Sequence, residues 1–436
     1  MAIELTPDTL DFSTLLRPGD HIVWGQASAE PATLTARLFG QCADIPGLSA
    51  FIGMSWGTPL DQTGAVRFQS YCGAGHNRAL ERRGALDILP CHYSELPGLL
   101  ARHVDVLLLN LADDGTGRFS FGAALEYLAP LVDRARLVIA EVSDQTPWTH
   151  SERALSTENV HVIVRTSRPP VAAPVTQPGA AEQAIAAHVA GLVEDGATLQ
   201  IGIGGLPEAI LAALAGHRDL GLHSGLASEG VALLAEAGAL TNARKSVDPG
   251  VAVAGLVAGG PRLMRYVDRN PRFALRATAY THAFEILSAQ HKFTAINAAI
   301  EVDLSGQINA EVAGGRYVGA VGGAADFLRG ARASRGGLPI VALPATVNGR
   351  DGPRSRIVTR LNGPTSTARA DAGIIVTEHG VADLRGLGLA ERRRRMLDIA
   401  APEFRSALEA DEETRLLPGA SPRPGGPPDN AISIEA

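Results

Sequence analysis

The stretch LQIGIGGLPEAI, Leu199 to Ile210, is where the chain declares its architecture. An aliphatic run ends in Gly202, Gly204 and Gly205, and Pro207 follows where a first helical turn tolerates a missing N–H. This reads as strand, tight turn, helix. Glycines let a ligand approach the backbone, and the positive end of the helix attracts an anion such as a phosphate or a carboxylate. A tight βα turn with no ligand satisfies the same residues. A dinucleotide fingerprint does not, because its sixth position is Pro207 and no acidic residue ends the next strand in the usual place.

Working outward, a helix is expected at Ala180 to Val193, a strand at Ala197 to Ile203 and a helix from Pro207 to about Ala215. Further strands are expected at Val251 to Val257, Phe293 to Ala298, Ile340 to Leu343 and Ile374 to Thr377. One last helix is expected at Ala390 to Leu408, its four arginines Arg392 to Arg395 reading as a solvated face. Upstream, aliphatic runs at His21 to Trp24, Val104 to Leu109 and Leu137 to Ala140 alternate with helical spacing at Pro31 to Leu38 and Phe121 to Leu131. That is the βαβ rhythm of a parallel sheet, and it predicts α/β units in both halves. Between them TSRPPVAAPVTQPG disfavours helix and central strand alike. The expected organisation is an N-terminal α/β domain at 1–165, a proline-rich connector at 166–180, a C-terminal α/β domain at 181–413 and a mobile tail at 414–436.

The 436 residues, 45% hydrophobic and 19% charged, are globular in composition and long enough for two domains or three. The net charge of −7 is spread along the chain, so a nucleic-acid partner is not expected. Cys42, Cys72 and Cys91 are odd in number and lack metal-ligand spacing, which fits reduced, buried thiols and no metal. With neither a signal-like start nor an apolar run near ~20 residues, the expectation is a cytoplasmic protein with no membrane partner.

Three more segments carry candidate chemistry. In AINAAIEVDLSGQINAE, Ala295 to Glu311, alternation through Ile300, Val302 and Leu304 and the Ser305-Gly306 turn predict a hairpin leading to the glycines Gly322 and Gly323. Glu301 and Asp303 then share one strand face, where a pair can tune acid–base behaviour, although exposed strand carboxylates are the commoner case. In DLGLHSGLASEG, Asp219 to Gly230, His223 and Ser224 suggest base and nucleophile, but neighbours on a strand face opposite ways. A hydrogen-bonded structural histidine fits better. The last segment, Ser355 to Gly386, runs a strand into Glu378-His379-Gly380.

Together with GDHIVWGQASAEP from Gly19, EVSDQTPWTHSE from Glu141, AGALTNARKSVDPG from Ala237 and VGGAADFLRGA from Val321, these segments resemble the acetyl-CoA hydrolase/transferase family. That is the branch of class I coenzyme A transferases containing 4-hydroxybutyrate and butyryl-CoA:acetate CoA-transferases. The resemblance implies two related open α/β domains facing each other across a cleft, in a homodimer or its multiple. Its implied substrates are an acyl-CoA and a small carboxylate, with no metal. It implies a glutamate that attacks the thioester, passing through an acyl-glutamyl anhydride and a glutamyl-CoA thioester. It also implies a coenzyme A site at Gln200, Gly202, Ile203, Gly204, Gly205, Gly322 and Gly323, whose backbone N–H groups hold the oxyanion, each donor worth roughly 3 kcal/mol.

The position matching that glutamate is Gly225. Ala320 stands for the first glycine of the usual G-x-G-G, and Ser143 for an asparagine. Three expectations follow: a CoA-transferase in which Glu229 or Glu301 replaces the lost carboxylate; an acyl-CoA hydrolase or acyltransferase with one of them as general base; or a non-catalytic CoA-binding paralogue.

Overall fold

The computed structural model describes residues 2–60, 66–349 and 352–410; the stretch 414–436, expected to be a mobile tail, lies outside them. The fold is α/β, built on two largely parallel sheets. The first grows from His21–Trp24: Ser49–Phe51, Arg67–Ser70 and Leu86–Ile88 are added on one side. Val106–Asp113, Leu137–Ser143, Val162–Thr166 and finally Ile3–Leu5 are added on the other. The central strands are buried on both faces, all seven residues of Leu137–Ser143 included, and this is why they read as unbroken apolar runs.

The second sheet grows in the same manner from Thr198–Ile201, with Gly221–Ala227, Ala252–Val257 and Phe273–Leu275 on one side. Phe293–Ala298, Leu338–Ala342 and Ile374–Thr377 lie on the other, closed by the antiparallel Gly380–Asp383. Each sheet therefore reverses direction once, between His21–Trp24 and Val106–Asp113 and between Thr198–Ile201 and Phe293–Ala298. Crevices at the carboxyl ends of such strand pairs are where open α/β sheets bind ligands.

No helix or strand occupies 167–179, across which the chain passes from one sheet to the other. The exchange is not clean. His150–Ser151, from the first half, is the edge strand of the second sheet beside Phe273–Leu275. One apolar cluster runs from Val23 through Leu125 and Leu256 to Val376, so the two sheets share a core.

Several expected elements take another form. Phe121 to Leu131 is no helix beyond the short 3-10 turn Ala129–Leu131. Gly122 turns at φ +61°, and the backbone that follows bonds to the second sheet, Val257 N–H donating to Ala123 O (2.7 Å) and Leu125 N–H to Gly255 O (3.0 Å). The expected last helix is two, Leu389–Asp398 and Pro402–Ala410, because Pro402 cannot donate to the preceding turn. Arg392 is buried rather than solvated, donating to the carbonyls of Ser305, Arg369 and Leu387, while Arg394 and Arg395 pair with Glu391 in the solvated manner. The predicted hairpin forms, Glu301–Asp303 pairing antiparallel with Ile308–Asn309, but both its carboxylates are buried.

Candidate active site

Strand ends of the two sheets face one another across a cavity of about 200 Å³. From the second sheet, Gln200, Ile201 and Gly202 end one strand and Asn297 nearly ends its neighbour. The amides of Gln200 and Asn297 bond to each other across the reversal, at 3.0 and 3.3 Å. Gly204, at φ +114°, starts the helix Gly205–Ala213, and Gly323 starts the helix Ala324–Ala333. Neither helix start has a side-chain cap, and that of Ala324–Ala333 lies against the cavity. Gly225 also lines this space.

From the first sheet come Gln26, Met54, Tyr71, Tyr93 and Glu126. Gln26 is swung across the strand end by a turn in which Ala27 adopts φ +51°, a left-handed conformation costing roughly 1–2 kcal/mol outside glycine. Its Oε1 accepts from the Tyr71 hydroxyl and the Met54 N–H, both at 2.9 Å. Its Nε2 donates to the Tyr93 hydroxyl (2.8 Å) and to both oxygens of Glu126 (3.0 and 3.1 Å). Tyr93 in turn donates to Glu126 Oε2 at 2.6 Å. Glu126 is only 2% exposed and is the one carboxylate lining the cavity among the described residues. Burial pushes it up to about 7, against the opposing hydrogen bonds from Tyr93 and Gln26.

His282 closes the side nearest Gly225. Its ring stacks on Tyr93 (centroids 5.2 Å apart) and packs on Phe327 (4.5 Å). Nδ1 bonds to Thr281 Oγ1 at 2.9 Å, and burial drives the imidazole down to about 3, so it is neutral. A Cβ on Gly225 would lie 3.2 Å from His282 Cε1, and one on Gly323 only 2.6 Å from Nε2. The ring thus fills the space between these two glycines.

Of the residues singled out from sequence, Gln200, Gly202, Gly225, Gly322 and Gly323 line the cavity, while Ile203, Gly204 and Gly205 form the turn beside it. The candidate carboxylates lie elsewhere. Glu229 accepts from the Gly260 N–H at 2.7 Å, at the start of helix Pro261–Val267. Glu301 accepts from Asn309 Nδ2, from Asn362 through both N–H and Nδ2, and from the Gly363 N–H, which occupies its carboxylate fully. His223 is wholly buried, bonded through Nε2 to Thr281 O (3.2 Å) and driven down to about 3, chiefly by burial. Tyr93, Glu126 and His282 were not found by sequence reasoning, and Gln26 and Asn297 only as parts of longer motifs. Among the described residues no group of three or more His, Cys, Asp or Glu side chains is disposed to hold a metal, and no helix is long and apolar enough to cross a membrane.

Two α/β sheets meeting at glycine turns, with a cavity between their strand ends, define a class of α/β protein with a ligand-sized crevice between its halves. The comparisons narrow this class. Residues 259–412 match the acetyl-CoA hydrolase/transferase C-terminal domain. The 4-hydroxybutyrate coenzyme A transferase of Clostridium kluyveri is 34% identical over 91% of this chain and 94% of its own. RipA from Yersinia pestis superposes with a TM-score of 0.88 at 30% identity, covering 95% of this chain and 98% of that one. The 4-hydroxybutyrate CoA-transferase of Porphyromonas gingivalis does so at 0.76 and 30%, covering 95% and 97%. The chain belongs to the acetyl-CoA hydrolase/transferase family, whose members are enzymes acting on CoA thioesters.

Proposed function

We propose that the chain moves CoA between an acyl-CoA and a small carboxylate, with the reacting thioester in the cavity between the two sheets. The observation that carries this reading is the convergence of Gly202, Gly225 and the Gly322-Gly323 turn, with the start of the helix Ala324–Ala333, on one space. N–H groups so arranged suit the oxyanion of a thioester under attack. The names of the relatives, CoA-transferases for 4-hydroxybutyrate, support the same reaction. A cavity of about 200 Å³ suits a short acyl group.

Hydrolysis, or delivery of the acyl group to another small nucleophile, is the second reading. Gly225, at the position that the resemblance assigns to the family's glutamate, has no side chain to form a covalent intermediate, which favours it. Incubating the protein with acetyl-CoA, with and without propionate, separates the readings. Propionyl-CoA formed at a rate well above free CoA release is the expected result; release independent of acceptor selects hydrolysis; CoA binding without turnover leaves a binding paralogue. The same proposal includes the division at 1–165 and 181–413 about a 166–180 connector, a homodimer, read by light scattering, and a cytoplasmic setting that the three buried free thiols suit.

A further inference from the structure

We propose that Glu126, from the first half of the chain, is the carboxylate that carries the covalent intermediates of CoA transfer. This rests on the transferase reading above. A covalent route that conserves thioester energy in separate steps on the protein uses a third carboxylate, that of a side chain. Gly225 cannot supply it, and Glu229 and Glu301 are held outside the cavity by backbone and amide donors. Glu126 lines the cavity, as does Gly225. A Cβ built on Gly255 would sit 2.9 Å from Gly225 O and 3.4 Å from Glu126 Cβ, so the two positions flank the same strand residue.

The surroundings of Glu126 suit a nucleophile. Burial strips water from its oxygens and makes them more basic than those of an ordinary glutamate, while leaving a substantial ionised fraction at neutral pH. Gln26 and Tyr93 hold the carboxylate from one side and fix its rotamer. Neutral His282 adds no positive charge that would compete for it.

In the first step a Glu126 oxygen bonds to the thioester carbonyl carbon, the C–S bond breaks, and CoA departs as thiolate. The thiolate then attacks the glutamyl carbonyl of the anhydride. Its C–O bond breaks, the first carboxylate leaves, and CoA is joined to Glu126 as a thioester. The acceptor carboxylate reverses both steps, so no net proton, oxidant or other reactant is consumed.

Borohydride reduces a glutamyl thioester to the primary alcohol, which peptide mass spectrometry can locate. After incubation with acetyl-CoA the reduced residue is expected at Glu126. Glu126→Gln, nearly isosteric, should lose the adduct and roughly a thousandfold or more of acetyl-CoA:propionate exchange, with an unchanged melting profile at pH 4. Exchange that continues in the wild type with the adduct on another residue, or with none, overturns the role of Glu126 and leaves the transferase reading intact. Absence of exchange in the wild type overturns both. Should Glu126→Gln fail to fold, the mapped adduct in the wild type decides alone.

Discussion

Glu126 is a carboxyl whose burial sets its titration, and the sign of the resulting pH dependence is fixed. Its folded-state pKa is raised to about 7 from 4.5, so the folded protein holds this proton where the unfolded chain releases it. Stability tied to the group is complete below pH 4.5 and is lost as pH rises to about 7. The difference amounts to about 3 kcal/mol, since each pKa unit is worth about 1.4 kcal/mol. Glu126→Gln has no such titration. Urea unfolding at a series of pH values should therefore show the variant gaining about 3 kcal/mol on the wild type between pH 4.5 and 8, while its exchange activity is lost. A constant offset across that range would mean that Glu126 titrates as an exposed glutamate. The change makes the protein more stable and less active, as expected where a costly buried group is kept for chemistry.

At the scale of elements, the hairpin Glu301–Asp303 with Ile308–Asn309 holds its carboxylates in hydrogen bonds to neighbouring donors. Glu301 gathers donors from Asn309, Asn362 and Gly363, which stand on different segments, and so ties the 362–363 turn to the hairpin. Glu301→Ala leaves those buried donors unpaired and should cost about 3 kcal/mol in denaturant unfolding. The kcat of the folded variant should stay near that of the wild type. A fall in kcat with unfolding unchanged would return Glu301 to the chemistry. The same elements show what local sequence can convey. The Leu199 to Ile210 turn is legible because its demands are local: an apolar strand, a glycine at φ +114° and a proline in the first turn. Phe121 to Leu131 is not, because Ala- and Leu-rich sequence suits a helix and a fully buried crossing equally. The crossing wins here by bonding to Gly255 and Val257, more than a hundred positions away. Glu126 rides on that segment, and nothing near it in sequence marks it as buried beside Gln26 and Tyr93. Its chemistry is made by distant contacts.

For the whole molecule, the question is what holds the halves together around the cavity. Across 167–179 the chain is tied to the first half by Ser167 and Arg168, bonded to Gln145 and Ser143, and to the second by Ala173 N–H donating to Gly259 O at 3.2 Å, while Val175 is 89% exposed. Elsewhere the halves are joined by His150–Ser151 pairing with Ala274 and Leu275, by Tyr93 N–H donating to Gly322 O, by Val257 N–H donating to Ala123 O, and by the shared apolar core. A covalent connector contributes mainly an effective concentration, in the millimolar range for a short link. Against micromolar protein that is worth about 4 kcal/mol. The buried contacts are expected to exceed it. A specific protease site inserted after Val175 and cleaved in the folded protein should give two fragments that co-elute on size exclusion and keep acyl-CoA turnover. The fragments expressed separately should expose the apolar faces they share and aggregate. If the cleaved halves separate at micromolar concentration, the connector would be the principal tie. The cavity, which takes Glu126 and Tyr93 from one half and Gly225 and Gly323 from the other, would then exist only while that link is intact.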